Sequence, residues 1–213
     1  MVQALVVAAI LVAVAELGDK TQMLTLLLAS RFPGRQVFFG VLIAVLGLQL
    51  TATAAGRVVS DVVPDRLLAL IAATLFIGFG VWSLRDATRQ EKSEDVGATP
   101  SGWGPVAAVA GAFFLAELGD KTQVLTFAIA ADPDAAGRVL APFGIEPIAV
   151  GSGLEVFLGV WIGSVLGMML VNGLAIVAGN AVGRRVSRPV VARVSGTLFI
   201  VFGLLALATS YLV

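Results

Sequence analysis

The chain has no cysteine and no histidine, and only 13% of its 213 residues are charged. Without cysteine there can be neither disulfides nor thiolate metal sites. Without histidine, a metal held by side chains is expected to be held through oxygen. That donor set disfavours zinc and copper and favours calcium, manganese or magnesium. The formal net charge is zero, so there is no electrostatic case for nucleic acid as a partner. No nucleotide-binding loop and no nucleophile constellation supports an enzyme.

What is abundant is apolar. Hydrophobic residues make up 58% of the chain, with a mean hydropathy of +0.98. A soluble domain is roughly 45–50% apolar and about 25% charged. The composition is that of an all-α integral membrane protein. Six apolar segments can be read, at about 2–30, 37–55, 67–84, 105–131, 150–177 and 190–211. Each is near or above the length that crosses about 30 Å of hydrocarbon. The first and fourth are long enough to predict tilt or a break. Residues 1–15 end in Ala13-Val14-Ala15, like a signal-peptide cleavage site. No Lys or Arg precedes the run, however, so it reads as part of a mature span.

Eleven residues occur twice with one change. Ala15-Glu-Leu-Gly-Asp-Lys-Thr-Gln-Met-Leu-Thr25 returns as Ala116-Glu-Leu-Gly-Asp-Lys-Thr-Gln-Val-Leu-Thr126. The repeat continues at a second offset: Ala55-Gly56 matches Ala178-Gly179, and Thr74-Leu-Phe-Ile77 matches Thr197-Leu-Phe-Ile200. The sequence therefore divides into a first three-helix repeat (1–84), a polar linker (85–104) and a second three-helix repeat (105–213). The second repeat carries an extra outer loop near 132–149, where Asp132, Asp134 and Glu146 read as solvated. An odd number of spans per half inverts the second half, giving six transmembrane helices as two inverted three-helix repeats, the plan of many secondary transporters.

Orientation follows from loop Lys and Arg. One side receives Arg31, Arg35, Arg85, Arg89, Lys92, Arg184, Arg185, Arg188 and Arg193; the other receives Arg57, Arg66 and Arg138. The richer side, with the linker, is expected to be cytoplasmic, and both termini outside.

Charges inside a span cost roughly 2.5–3.5 kcal/mol each on insertion scales, so their presence points to function. On a continuous helix Glu16, Asp19, Lys20 and Met23 share one stripe, as do Glu117, Asp120, Lys121 and Val124. Facing each other across a pseudo-twofold axis, the motifs would gather four carboxylates: Glu16, Asp19, Glu117 and Asp120. The amides of Gln22 and Gln123 and the hydroxyls of Thr21 and Thr122 would join them. These are hard ligands for a divalent cation. Four carboxylates less the ammoniums of Lys20 and Lys121 leave −2, which one such cation would neutralise. Protons should replace the metal when it leaves, so the same groups couple the two. Each Lys stands four residues after its Glu and could neutralise it in the empty state. Gly18 and Gly119 permit local unwinding. Gln49 and Asn172, at equivalent places in the second and fifth spans, either support the site or only bridge helices. The competing reading is an ion cluster that merely holds helices together. Gly78, Gly80, Gly163, Gly167 and Gly203 read as packing contacts, Glu155 as a solvated boundary residue, and Trp82, Trp103 and Trp161 as interfacial or packing aromatics.

At Glu16-Leu-Gly-Asp-Lys-Thr21 and Glu117-Leu-Gly-Asp-Lys-Thr122 the chain resembles the transmembrane protein 165 family of divalent cation/proton exchangers. The signature there is Glu-x-Gly-Asp-(Lys/Arg)-(Thr/Ser), once per three-helix half. Second copies in that family often carry Trp after Glu and end in Arg-Ser. Here Leu118, Lys121 and Thr122 stand at those places, so the two halves are unusually alike. The resemblance implies exchange of Mn²⁺ and/or Ca²⁺, as substrate and not cofactor, for protons, with the acidic residues of both signatures forming the transport site. A compact chain without a targeting extension fits a prokaryotic inner-membrane protein. A divalent-cation channel, an exporter of another cation such as Mg²⁺, and a non-transport assembly factor with a structural acidic cluster remain alternatives.

Overall fold

The computed structural model describes residues 1–17, 19–60, 62–64, 104–144 and 153–181, with isolated positions between 67 and 85 and between 193 and 207. Among these residues every element is helical. In chain order they are α1 (Val2–Glu16), α2 (Lys20–Arg31), α3 (Gly34–Ser60), α4 (Pro105–Glu117), α5 (Lys121–Ala131), α6 (Pro133–Leu140), a 3₁₀ turn (Ala141–Phe143) and α7 (Gly153–Ala181). The third and sixth apolar segments, the linker, Gly80, Trp82, Trp103 and Glu146 lie largely or wholly outside the described residues.

Among the described residues, two helices are long and apolar enough to cross a bilayer, α3 and the Gly153–Val177 stretch of α7. At 1.5 Å per residue both exceed the hydrocarbon thickness. The first apolar segment is not one rod. Its two helices pass the same test only as a pair, bent by 80°. The fourth segment is likewise divided, α4 ending at Glu117 and α5 beginning at Lys121.

Each divided pair packs on the long helix of the other half: α1 and α2 on α7, α4 and α5 on α3. Small residues allow the approach, as they do where lipid offers no hydrophobic drive between helices. Gly159, Gly163 and Gly167 recur every fourth residue on α7. A Cβ on Gly159 would lie 2.6 Å from the Met1 carbonyl oxygen. On Gly163 and Gly167 it would strike the carbonyl oxygens of Leu5 and Ala9. On α3, a Cβ on Gly40 would lie 2.6 Å from Val109 Cγ1, and on Gly56 it would strike the Phe127 carbonyl oxygen. The packing role holds for Gly163, Gly167 and Gly203, the last against Ile77. At Gly78, no atom of the described residues lies within 4 Å of an added Cβ. Trp161 is a packing aromatic whose indole N–H donates to the Leu46 carbonyl at 3.2 Å. Glu155 is exposed, 3.9 Å from the amino terminus.

The extra segment after α5 is not simply a solvated loop. Asp132 accepts from the Ala135 N–H at 2.9 Å and caps α6, with Pro133 at its first turn. Ala135, Ala136, Val139 and Leu140 are buried, and α6 packs on α1 and α5. An N-cap Asp followed by Pro is a helix-start signal, and Asp132 is spent on it. Asp134 is exposed, as expected.

Candidate functional site

The two motifs are the two breaks. In the second, Leu118 has φ −63 and ψ 113, Gly119 has φ +79, and the Asp120 N–H donates to the Glu117 carbonyl at 3.1 Å. That is a type II turn, whose third position needs a positive φ and therefore glycine. The first motif repeats the pattern: Leu17 has φ −59 and ψ 123, and the Asp19 N–H donates to the Glu16 carbonyl at 3.2 Å. Gly18 and the Lys20 side chain lie outside the described residues. The sequence Glu-Leu-Gly-Asp thus stops one helix at its Glu and starts the next after its Asp. The continuous stripe expected for Glu16, Asp19, Lys20 and Met23 does not form, because the helix that would carry it is interrupted. Met23 is exposed. Unwinding at glycine is what the structure has instead.

No atom lies within 4 Å of a Cβ placed on Gly119, so Gly119→Ala would meet only backbone strain. A non-glycine residue in the left-handed region costs about 1–2 kcal/mol. Gly119→Ala should lower thermal stability by that amount, and Gly119→Asn by less, since Asn tolerates this region. Equal unfolding temperatures for Gly119→Ala and the parent in detergent would contradict the turn.

Bending the chain at both motifs brings their side chains together. Glu16 is fully buried and richly bonded. Its Oε1 accepts from Thr21 Oγ1 at 2.7 Å and from Asn172 Nδ2 at 3.2 Å, and its Oε2 accepts from Thr122 Oγ1 at 3.1 Å. Thr25 donates to Asn172 Oδ1 at 2.7 Å, which turns the amide nitrogen toward Glu16. Of the two residues at equivalent places, Asn172 therefore orients a motif carboxylate. Gln49 bridges α3 and α7, donating to Met168 Sδ at 3.3 Å.

Lys121 pairs with Asp19 of the other motif at 2.8 Å, both side chains almost wholly buried. The expected partner, Glu117 in its own motif, is not the one taken. Lys121 opens α5 immediately after the turn, whereas Glu117 closes the preceding helix, so the four-residue spacing no longer places them one above the other. Glu117 is fully buried, and neither of its carboxylate oxygens has a hydrogen-bond partner among the described residues; nor does Asp120 Oδ2. Asp120 stands at the N-cap of α5, yet its side chain makes no cap bond. Gln123 Oε1 accepts from the Gly119 N–H at 2.7 Å and braces the turn. Gln22 is half-buried, its N–H bonded to the Asp19 carbonyl at 3.2 Å.

The four carboxylates feel one another across the two halves. Glu117 lies within electrostatic range of Glu16, Asp19 and Asp120, and Asp120 of Asp19 and Lys121. Among the described residues, no three acidic side chains stand close enough to form a ready metal cluster. The reading from sequence passed over Thr25, Thr126 and Met168. The two threonines close the eleven-residue repeat, which was a usable signal; Thr126 donates to Ser164 at 3.3 Å.

A family model described as divalent cation/proton antiporter GDT1 matches residues 4–91 and 148–212, most of the chain. The first motif lies within the matched residues and the second between the two stretches. The chain is 29% identical to the GDT1-like protein sll0615 of Synechocystis, over 97% of each chain. It is 30% identical to a Vibrio cholerae protein named "Putative manganese exporter", over 94% of this chain and 86% of the relative. GDT1-like protein 4 of Arabidopsis thaliana is 26% identical over 92% of each. No solved structure matches. The family consists of transporters and not enzymes, and its ions are substrates and not cofactors. By the family match and by these relatives, the chain belongs to the GDT1 family of divalent cation/proton antiporters.

Proposed function

We propose that this chain exports Mn²⁺ and/or Ca²⁺ in exchange for protons, through a site at the membrane midplane made by Glu16, Asp19, Glu117 and Asp120. Gln22 and Gln123 stand beside it, and Lys20 and Lys121 supply counter-charge. The observation that carries this reading is the buried, unpartnered state of both Glu117 oxygens and of Asp120 Oδ2, beside two other motif carboxylates. Acceptors desolvated without a donor cost free energy unless a cation or a proton visits them. Metal and protons would compete for the same oxygens, and that competition is the coupling. The Vibrio cholerae relative's name favours manganese.

The test is reconstitution in liposomes with a metal dye and a pH dye read together. An inward proton gradient should drive metal outward, and a metal gradient should drive protons the other way. Metal binding to carboxylates releases protons, so apparent metal affinity should weaken as pH falls. Binding indifferent to pH between about 5 and 8, with metal flux that moves no protons, would make the protein a channel.

In the same reading the six spans form two inverted repeats in a prokaryotic inner membrane, with the linker 85–104 cytoplasmic and both termini outside. The nine-to-three split of loop Lys and Arg supports that orientation. The exchange of partners, in which each half's divided pair lies on the other half's long helix, supports the two-repeat arrangement itself. Cysteines placed at Ser93 and Ser187 should label only from the cytoplasm, and one at Asp134 only from outside. Labelling of positions 93 and 134 from the same face would overturn the inversion.

A further inference from the structure

We infer that Met168 is a specificity-determining ligand of the transport path, its thioether favouring transition-metal ions over Ca²⁺ and Mg²⁺. This rests on the proposed carboxylate site and names the class of cation that site prefers. Met168 is 1% exposed on α7. One turn later on the same helix, Asn172 donates from Nδ2 both to Glu16 Oε1 at 3.2 Å and to the Met168 carbonyl at 3.1 Å. Four residues apart on α7, Met168 and Asn172 share a face, so the thioether projects one turn from the residue that holds Glu16. Its other neighbour is Gln49, fully buried, whose amide nitrogen lies 3.3 Å from Sδ.

A thioether is a poor acceptor for that amide. At the other end of the same group, Gln49 Oε1 is buried with no hydrogen-bond partner. An amide spent on a weak acceptor, with its carbonyl orphaned, is a costly arrangement for a mere helix bridge. It fits a pair of neutral electron-pair donors, one soft and one hard, held one helix turn from the residue that orients Glu16. The repeat does not require the sulfur. Val45 occupies the equivalent place on α3 and is fully buried there, so a plain aliphatic residue suits such a position. Carboxylate and carbonyl oxygens accept Ca²⁺, Mg²⁺ and Mn²⁺ alike, whereas a soft sulfur penalises the hardest ions.

Cadmium makes the test direct, because the chain has no cysteine and any Cd–S contact must come from methionine. X-ray absorption of the Cd²⁺-loaded, purified full chain should show a sulfur in the metal's coordination sphere. That sulfur should vanish in Met168→Leu. In liposomes, Met168→Leu should weaken Mn²⁺ and Cd²⁺ transport roughly tenfold while sparing Ca²⁺, the size typical of losing a tuning group at a metal site. An all-oxygen sphere in the parent protein would overturn the inference, and because it needs no variant it holds even if Met168→Leu folds poorly. An Mn²⁺-to-Ca²⁺ ratio in Met168→Leu within twofold of the parent would overturn it too. Either result leaves the carboxylate reading intact. Failure of the parent to bind any of the three ions would sink both together.

Discussion

Glu117→Gln should lose metal flux by at least about a hundredfold, the upper range for disturbing a metal site, in a protein that unfolds no earlier than its parent. The carboxylate is fully buried and its two oxygens have no hydrogen-bond partner among the described residues. Gln keeps the shape and removes the charge, so the helices lose no bond and a repulsion among carboxylates is relieved. Glu16→Gln differs. Glu16 accepts from Thr21, Thr122 and Asn172 across both oxygens. An amide offers one acceptor where those donors need two, so this variant should lose flux and also about 1–3 kcal/mol of stability. Flux and thermal unfolding measured on both variants separate transport from structure. If the acidic groups only held helices together, Glu117→Gln would keep normal flux. Normal flux in an Asp19→Asn, Asp120→Asn double variant would likewise reject a shared site.

Much of this site was legible because the sequence states it twice. The doubled Glu-Leu-Gly-Asp-Lys-Thr marks the residues that meet, and Gly119 marks the turn, since only glycine adopts φ +79 without strain. The long helices α3 and α7 follow from unbroken apolar runs. What the sequence did not reveal was which partners the charges take. A four-residue spacing predicts Lys121 beside Glu117 only if the helix continues. The turn at residues 118–120 redirects Lys121 to Asp19, a tertiary outcome that no local pattern encodes. The segment after α5 differs from expectation for the opposite reason. Its local signal, Asp132 before Pro133, is a helix cap, but an acidic residue beside a proline reads equally well as loop charge. Met168 escaped notice because a methionine in an apolar run has no periodicity of its own; only its contact with Gln49 singles it out.

Lys121→Met should destabilise the protein and tighten its grip on metal at the same time. The ammonium sits 2.8 Å from Asp19 with both side chains buried, so it occupies the place beside a carboxylate that an incoming cation would claim. Removing it takes a counter-charge from a buried carboxylate, a loss of about 3–5 kcal/mol for pairs of this kind. A divalent ion then no longer has to displace an internal cation. Its affinity at neutral pH should rise roughly tenfold, equivalent to about 1.4 kcal/mol. Flux should nevertheless fall, because the returning lysine would help expel the ion and hold the empty site between strokes. Adding Asp19→Asn removes the exposed cost: the double variant should regain most of the stability lost in Lys121→Met while its metal affinity drops below that of the parent. The single and double variants form a cycle whose coupling energy measures the pair directly. Calorimetry of Mn²⁺ binding and thermal unfolding on the four proteins would settle it. A Lys121→Met protein with the parent's stability and the parent's metal affinity would mean that the lysine neither holds the two motifs together nor stands in for the cation.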